Sequence, residues 1–210
     1  MQKTLLTLTL LAGLATTAQA QRSVRARSQA SSGVSLGLKA GGTLSDLVGD
    51  DAVGFEAIYG FHAGAFANLS ISKLFAFQPE VLYSQKGAKL ATPVGDYVTR
   101  RFHYVDIPLA FHVNTNGFFL EAGPQIGILA AARDTYGSAS VNVKTLFNDV
   151  DFGYLAGLGY QRKAGLGVGL RYNGAFTNVR KELSLGSTSI QPRQRNSAFQ
   201  LYLTYSFNAQ

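Results

Sequence analysis

The chain has 210 residues, with 19 lysines and arginines against 12 aspartates and glutamates, no cysteine, and a formal net charge of +7. The missing cysteines exclude a disulfide-stapled scaffold, so stability must come from packing and backbone hydrogen bonds. Setting aside Lys3, Arg22, Arg25 and Arg27 near the start leaves 15 basic residues against 12 acidic, or +3, too even for a nucleic-acid surface.

The first 20 residues, MQKTLLTLTLLAGLATTAQA, carry a basic start at Lys3, an apolar stretch from Leu5 to Leu14 and the small-x-small triplet Ala18, Gln19, Ala20. This is the layout of a secretory signal peptide cut after Ala20. Its apolar stretch is too short for a spanning helix, which needs roughly 20 apolar residues. Residues 21–32 are polar, basic and rich in serine, and are expected to form a flexible periplasmic leader. The remainder, 33–210, is expected to be one domain.

That domain alternates apolar and polar residues in eight segments, at about 34–44, 57–69, 73–86, 97–113, 117–132, 150–162, 166–180 and 196–207. Short connections at 70–72, 114–116 and 163–165 take turns with long polar ones at 45–56, 87–96, 133–149 and 181–195. An even strand number with short turns at one end and long loops at the other is the pattern of an outer-membrane barrel. The fold class read from the sequence is therefore all-β, an eight-stranded antiparallel up-and-down transmembrane β-barrel.

A soluble lipocalin-like barrel can also have eight strands and a signal peptide, so the choice turns on which face carries charge. One parity holds Lys39, His62, Gln78, Glu80, Asp106, His112, Glu121, Gln125, Asp151, Arg171 and Asn173, interleaved with glycines such as Gly41, Gly157 and Gly169. The other is nearly uncharged, with Leu36, Leu38, Phe61, Val81, Phe111, Leu120, Leu158, Val168 and Leu170. The lumen of an eight-stranded barrel is just wide enough for side chains to fill it. Small glycines beside opposed charges suit that lumen, and the bulky apolar face suits lipid, where a mid-bilayer charge costs roughly 2–4 kcal/mol. Tyr and Phe near strand ends, including Phe75, Tyr83, Tyr97, Tyr104, Tyr154, Tyr160, Tyr172, Tyr205 and Phe207, are candidates for the interfacial girdles.

The candidate site is a lumen charge network of Lys39 and Arg171 facing Glu80, Asp106 and Glu121, in which charges excluded from water must pair. Arg180, near the outer rim, is expected to matter little. Three function classes follow. The leading one is a non-enzymatic barrel with a filled lumen that anchors in outer-membrane lipid and meets extracellular or envelope proteins through its long loops, as a monomer. The alternatives are a narrow porin-like channel and, after it, a lipid-modifying enzyme. No catalytic residue, cofactor, metal or nucleic-acid partner is expected. The spelling SISK at 70–73 falls in a turn without the partner motifs of a penicillin-recognising enzyme. His62, His103 and His112 lack metal-ligand spacing.

The segments SLGLKAGGTLS (35–45), GFHAGAFANLSISKLFAFQPEVLYSQKGAK (60–89), YVDIPLAFHV (104–113), EAGPQIGILA (121–130), DFGYLAGLGYQ (151–161) and GLRYNGAFTNV (169–179) resemble the PorT-like outer-membrane β-barrels, a porin family of Gram-negative bacteria. The resemblance spans nearly all of the chain after the leader and implies an outer-membrane barrel with both ends in the periplasm; it does not imply a catalytic residue, and members of the family differ in role. One departure is that Asn208, Ala209 and Gln210 follow the last aromatic, Phe207, where many such barrels end on an aromatic residue.

Overall fold

The computed structural model describes residues 33–92, 96–162, 164–185, 188–190 and 192–207. The expected signal peptide, the leader and the last three residues lie outside the described residues. Eleven strands occur among them: β1 (Val34–Val48), β2 (Phe55–Ser70), β3 (Phe75–Ala91), β4 (Tyr97–Thr115), β5 (Phe118–Tyr136), β6 (Ala139–Asn142), β7 (Val150–Gln161), β8 (Leu166–Ala175), β9 (Leu183–Leu185), β10 (Thr188–Ile190) and β11 (Arg195–Ser206). Eight of them, β1 to β5, β7, β8 and β11, pair antiparallel in chain order, and β11 returns to β1 to close the ring. Lys39 thus stands opposite Gly64 on one side and Thr204 on the other. β6 continues the β5 ladder as a hairpin beyond the ring, and β9 pairs with β10.

Alternation decides which way each side chain points. Leu36, Leu38, Val81, Phe111, Leu120, Leu158, Leu201 and Leu203 are all exposed on the outer wall, whereas Lys39, Gln78, Glu80, Asp106, Glu121 and Arg171 are buried inside. A lipocalin-like barrel requires the reverse. At the tight-turn end, Asn116 (φ 49°) and Gly117 (φ 90°) form a two-residue hairpin loop whose positive φ values suit these two residue types. This loop is one residue shorter than the expected 114–116 and ends one residue later. Ser72 Oγ accepts hydrogen bonds from the Leu74 and Phe75 amides, so the SISK spelling is turn chemistry.

Two expectations are corrected. The first three outer connections are shorter than read, because β1 runs on to Val48, β2 starts at Phe55, β3 continues to Ala91 and β5 to Tyr136, whereas the fourth is longer, because β8 ends at Ala175 and not at 180. A barrel strand needs about 9–11 residues to span a bilayer; β3, β4 and β5 have 17, 19 and 19, against 12, 10 and 12 for β7, β8 and β11. One wall therefore rises well above the lipid. Tyr104 is the second correction: at 1 % exposure it lies in the lumen and belongs to no girdle. The outer wall carries aromatic contacts at both ends, Phe118 with Tyr160 and Tyr205 with Phe207 near the turns, and Phe61 with Tyr83 and Tyr154 with Phe176 toward the loops.

Candidate functional site

The lumen has three storeys. At mid-height, Arg171 on β8 reaches across to β3 and β5. Its Nη1 and Nη2 donate to the two Glu80 oxygens at 2.9 Å each, while Nε and Nη2 donate to Glu121 at 2.8 and 2.5 Å. Lys39 Nζ donates to Glu80 Oε1 at 2.6 Å, and the Tyr202 hydroxyl and Gln78 amide donate to Glu121 and Glu80 at 2.8 and 2.9 Å. Lys39 also lies 4.1 Å from the centre of the Tyr202 ring. Two cations and two carboxylates so arranged satisfy one another almost completely, which is the condition for tolerating charge out of water. The space comes from glycine: a Cβ on Gly169 would fall 2.3 Å from the Tyr202 ring, and one on Gly157 would fall 2.6 Å from Glu121 Oε1.

The structure brings Lys39, Glu80, Glu121 and Arg171 into this one cluster. Asp106 is buried on the same face but is engaged elsewhere, by Lys86 Nζ at 2.8 Å. Lys86 lies over the Tyr104 ring at 4.9 Å, and beside them Asp151 accepts from Thr177 and Asn196 at 2.6 and 2.7 Å. Lys86 and Tyr202 are additions to the expected network. Lys86 shares the parity of Gln78 and Glu80, and Tyr202 that of Gln200, so alternation places both inside.

Below the cluster, at the tight-turn end, a vestibule of about 700 Å³ is lined by Asn68, Gln78, His112, Asn114, Gln161, Arg162, Thr204 and Ser206 together with Phe66, Phe119 and Tyr202. Above it the lumen is apolar. Leu47, Ala88, Phe102, Leu129, Ala132, Phe147 and Val179 form a buried cluster with Tyr104. Phe147 comes from the β6–β7 connection and packs on Phe102 at 4.8 Å. It is held by an isolated bridge to Arg180, by Asn148 donating to the Asn178 and Arg180 carbonyls, and by the Arg100 and Arg180 guanidiniums over its ring at 5.0 and 5.8 Å. Arg100 is fixed in turn by two hydrogen bonds to Asp134, at 2.8 and 2.6 Å. Arg180 is thus part of a lid over the lumen, which corrects the expectation that it is incidental.

The histidines occupy separate environments. His62 shares a hydrogen bond with Thr43 in the lumen, His112 stacks on Phe119 with Nε2 3.3 Å from Glu121, and His103 faces outward against the Tyr83 hydroxyl at 2.6 Å. Among the described residues no three metal-ligating side chains converge.

Comparison with known proteins gives a consistent result. Residues 17–181 match the sequence profile of a family described as outer membrane protein beta-barrel domain. The search of curated proteins returns no match. Among solved structures, Neisserial surface protein A is similar at 15 % identity over 83 % of this chain and 99 % of that one, with a TM-score of 0.55. The attachment invasion locus protein Ail of Yersinia pestis is similar at 13 % identity over 82 % and 98 %, TM-score 0.46. AlkL is similar at 12 % identity over 89 % and 96 %, TM-score 0.46. At 15 % identity the likeness to Neisserial surface protein A is one of fold.

Proposed function

The chain belongs to the outer membrane protein beta-barrel domain family, and from that premise we propose that it is a non-enzymatic, monomeric barrel whose lumen is a structural plug and whose outer end is an interaction surface. Within the family we place it with the PorT-like barrels, on the segments quoted above. The observation that carries the reading is the contrast inside the lumen. Arg171, Lys39, Glu80 and Glu121 are each at most 3 % exposed and mutually paired, and an apolar lid lies above them. A conducting path would need a continuous hydrated route past these groups.

The outer end offers what a partner could grip. Val53, Val141, Leu146, Tyr97 and Tyr136 are exposed on connections and strand ends beyond the lipid-facing wall. β6 is the last strand in the sheet order, exposed at every residue, so it presents a free ladder edge among the described residues. The partner class is extracellular or envelope protein.

Two measurements test the reading. Purified protein in planar bilayers should pass no stepwise ionic current; steady current steps would favour the narrow channel instead. A photo-crosslinker at Val141 on intact cells should capture a protein, whereas one at Leu166 on the lipid wall should not. Equal capture at both sites, or none at Val141, would remove the interaction role.

A further inference from the structure

On the outer wall, Arg101 of β4 stands directly opposite Arg133 of β5. Like charges facing each other across a ladder are destabilising, so the pair needs a reason to be there. No carboxylate among the described residues lies within ion-pair distance of either arginine. The acid next to them in sequence, Asp134, points to the lumen and is held there by Arg100. Arg101 makes one hydrogen bond, from Nη1 to the Tyr59 carbonyl at 3.1 Å. To reach β2 it crosses β3 at Gly87, its cross-strand partner, where no side chain stands in the way. The Tyr59 carbonyl lies where the β2–β3 register slips, between Ala57 and His62. On the outer surface Arg101 is half-buried and Arg133 is exposed.

Their height is set by the aromatics below. His103, two residues down β4, bonds Tyr83, which packs on Phe61 at 5.5 Å, and Tyr59 is 79 % exposed beside them. Such rings mark the membrane–water boundary, and this is the loop end, which faces outward in barrels of this class. The arginines therefore sit one step above the hydrocarbon, at headgroup level of the outer leaflet. Guanidinium groups bind phosphate in bidentate fashion, and an anion between two of them removes their repulsion.

We propose that Arg101 and Arg133 clamp a phosphate of an outer-leaflet glycolipid headgroup, with His103 and Tyr83 forming the floor of the site. The site rests on the outer-membrane position alone and is independent of what the outer end binds. The test uses the full barrel in phosphatidylcholine nanodiscs, titrated with diphosphoryl lipid A or with the same lipid stripped of its phosphates. Readouts are lipid affinity and the temperature at which the compact form is lost on gels. Only the phosphorylated lipid should raise that temperature for the wild type. The double variant Arg101→Gln, Arg133→Gln should bind it more weakly, by roughly five-fold for each arginine removed. In neutral lipid alone the same variant should be at least as heat-resistant as the wild type, because the repulsion is gone, which separates lost binding from lost folding. Arg195→Gln, an exposed arginine on β11, should bind as the wild type does. A wild type that does not distinguish the two lipids, a double variant that still does, or an Arg195 variant that loses as much would each overturn the proposal.

Discussion

The two ends of the lumen are built on opposite principles. At the tight-turn end the interior is a vestibule of about 700 Å³ walled mainly by amides and hydroxyls, with His112, Arg162 and three aromatic rings among them. At the loop end it is a dry cluster around Phe102, Leu129 and Phe147, with arginines resting on the Phe147 ring. Between them sits a set of charges shielded from above by the lid and bordered from below by Gln78, His112 and Tyr202, which touch its carboxylates and also line the vestibule. Polarity inside the barrel therefore does not mean wetness inside it. The same residue type should be expensive to remove above the vestibule and cheap to remove within it.

The largest effect is expected at Arg171. Arg171→Ala strands two buried carboxylates at once, and breaking a buried pair in this way costs roughly 3–5 kcal/mol. Phe147→Ala should come next, at about 3 kcal/mol, the lower end of the range for a buried Phe, because its connection can partly close the gap. It should open the dry end, so that a cysteine placed at Leu129 becomes reactive to a small water-soluble maleimide; an unreactive cysteine would show that Phe147 does not seal the lumen. Gly169→Ala should cost about 1–3 kcal/mol through overpacking against Tyr202, and combined with Tyr202→Leu, which by itself loses the hydrogen bond to Glu121, it should cost less than the sum of the two single substitutions in the gel-mobility assay. In the vestibule, Gln161→Ala and Asn114→Ala should each stay within about 0.5 kcal/mol, the usual range for surface positions. Arg193→Ala removes an exposed pair with Asp50 and should change stability by about 0–1 kcal/mol. A vestibule substitution as damaging as Phe147→Ala would dissolve the distinction between the ends.

Much of this was legible from alternation. The eight ring strands, their meander order and the inward placement of Lys39, Glu80, Asp106, Glu121 and Arg171 follow from which parity is apolar, because lipid enforces that pattern wherever the wall is in the bilayer. Above the bilayer nothing enforces it. The segments DLV at 46–48, KLA at 89–91 and RDTY at 133–136 are strand with mixed faces, so they read as loop. Height was the other hidden quantity. Parity says that Asp106 and Arg171 both point inward, but strand tilt and stagger decide which inward residues meet, and they give Asp106 to Lys86. The apolar lid was hidden for the same reason: Leu47, Phe102, Leu129 and Phe147 come from four distant segments, and only closure of the ring stacks them.

The central claim is that the mid-lumen charges hold the barrel together and do not carry ions. It is tested most directly by measuring, on one preparation of Arg171→Ala, both the temperature at which the compact form is lost on gels and the ionic current in planar bilayers. The account predicts a clear drop in that temperature relative to wild type, with Arg193→Ala unchanged and the wild type silent. An Arg171→Ala barrel that keeps full heat resistance while its current or ion selectivity changes would contradict it.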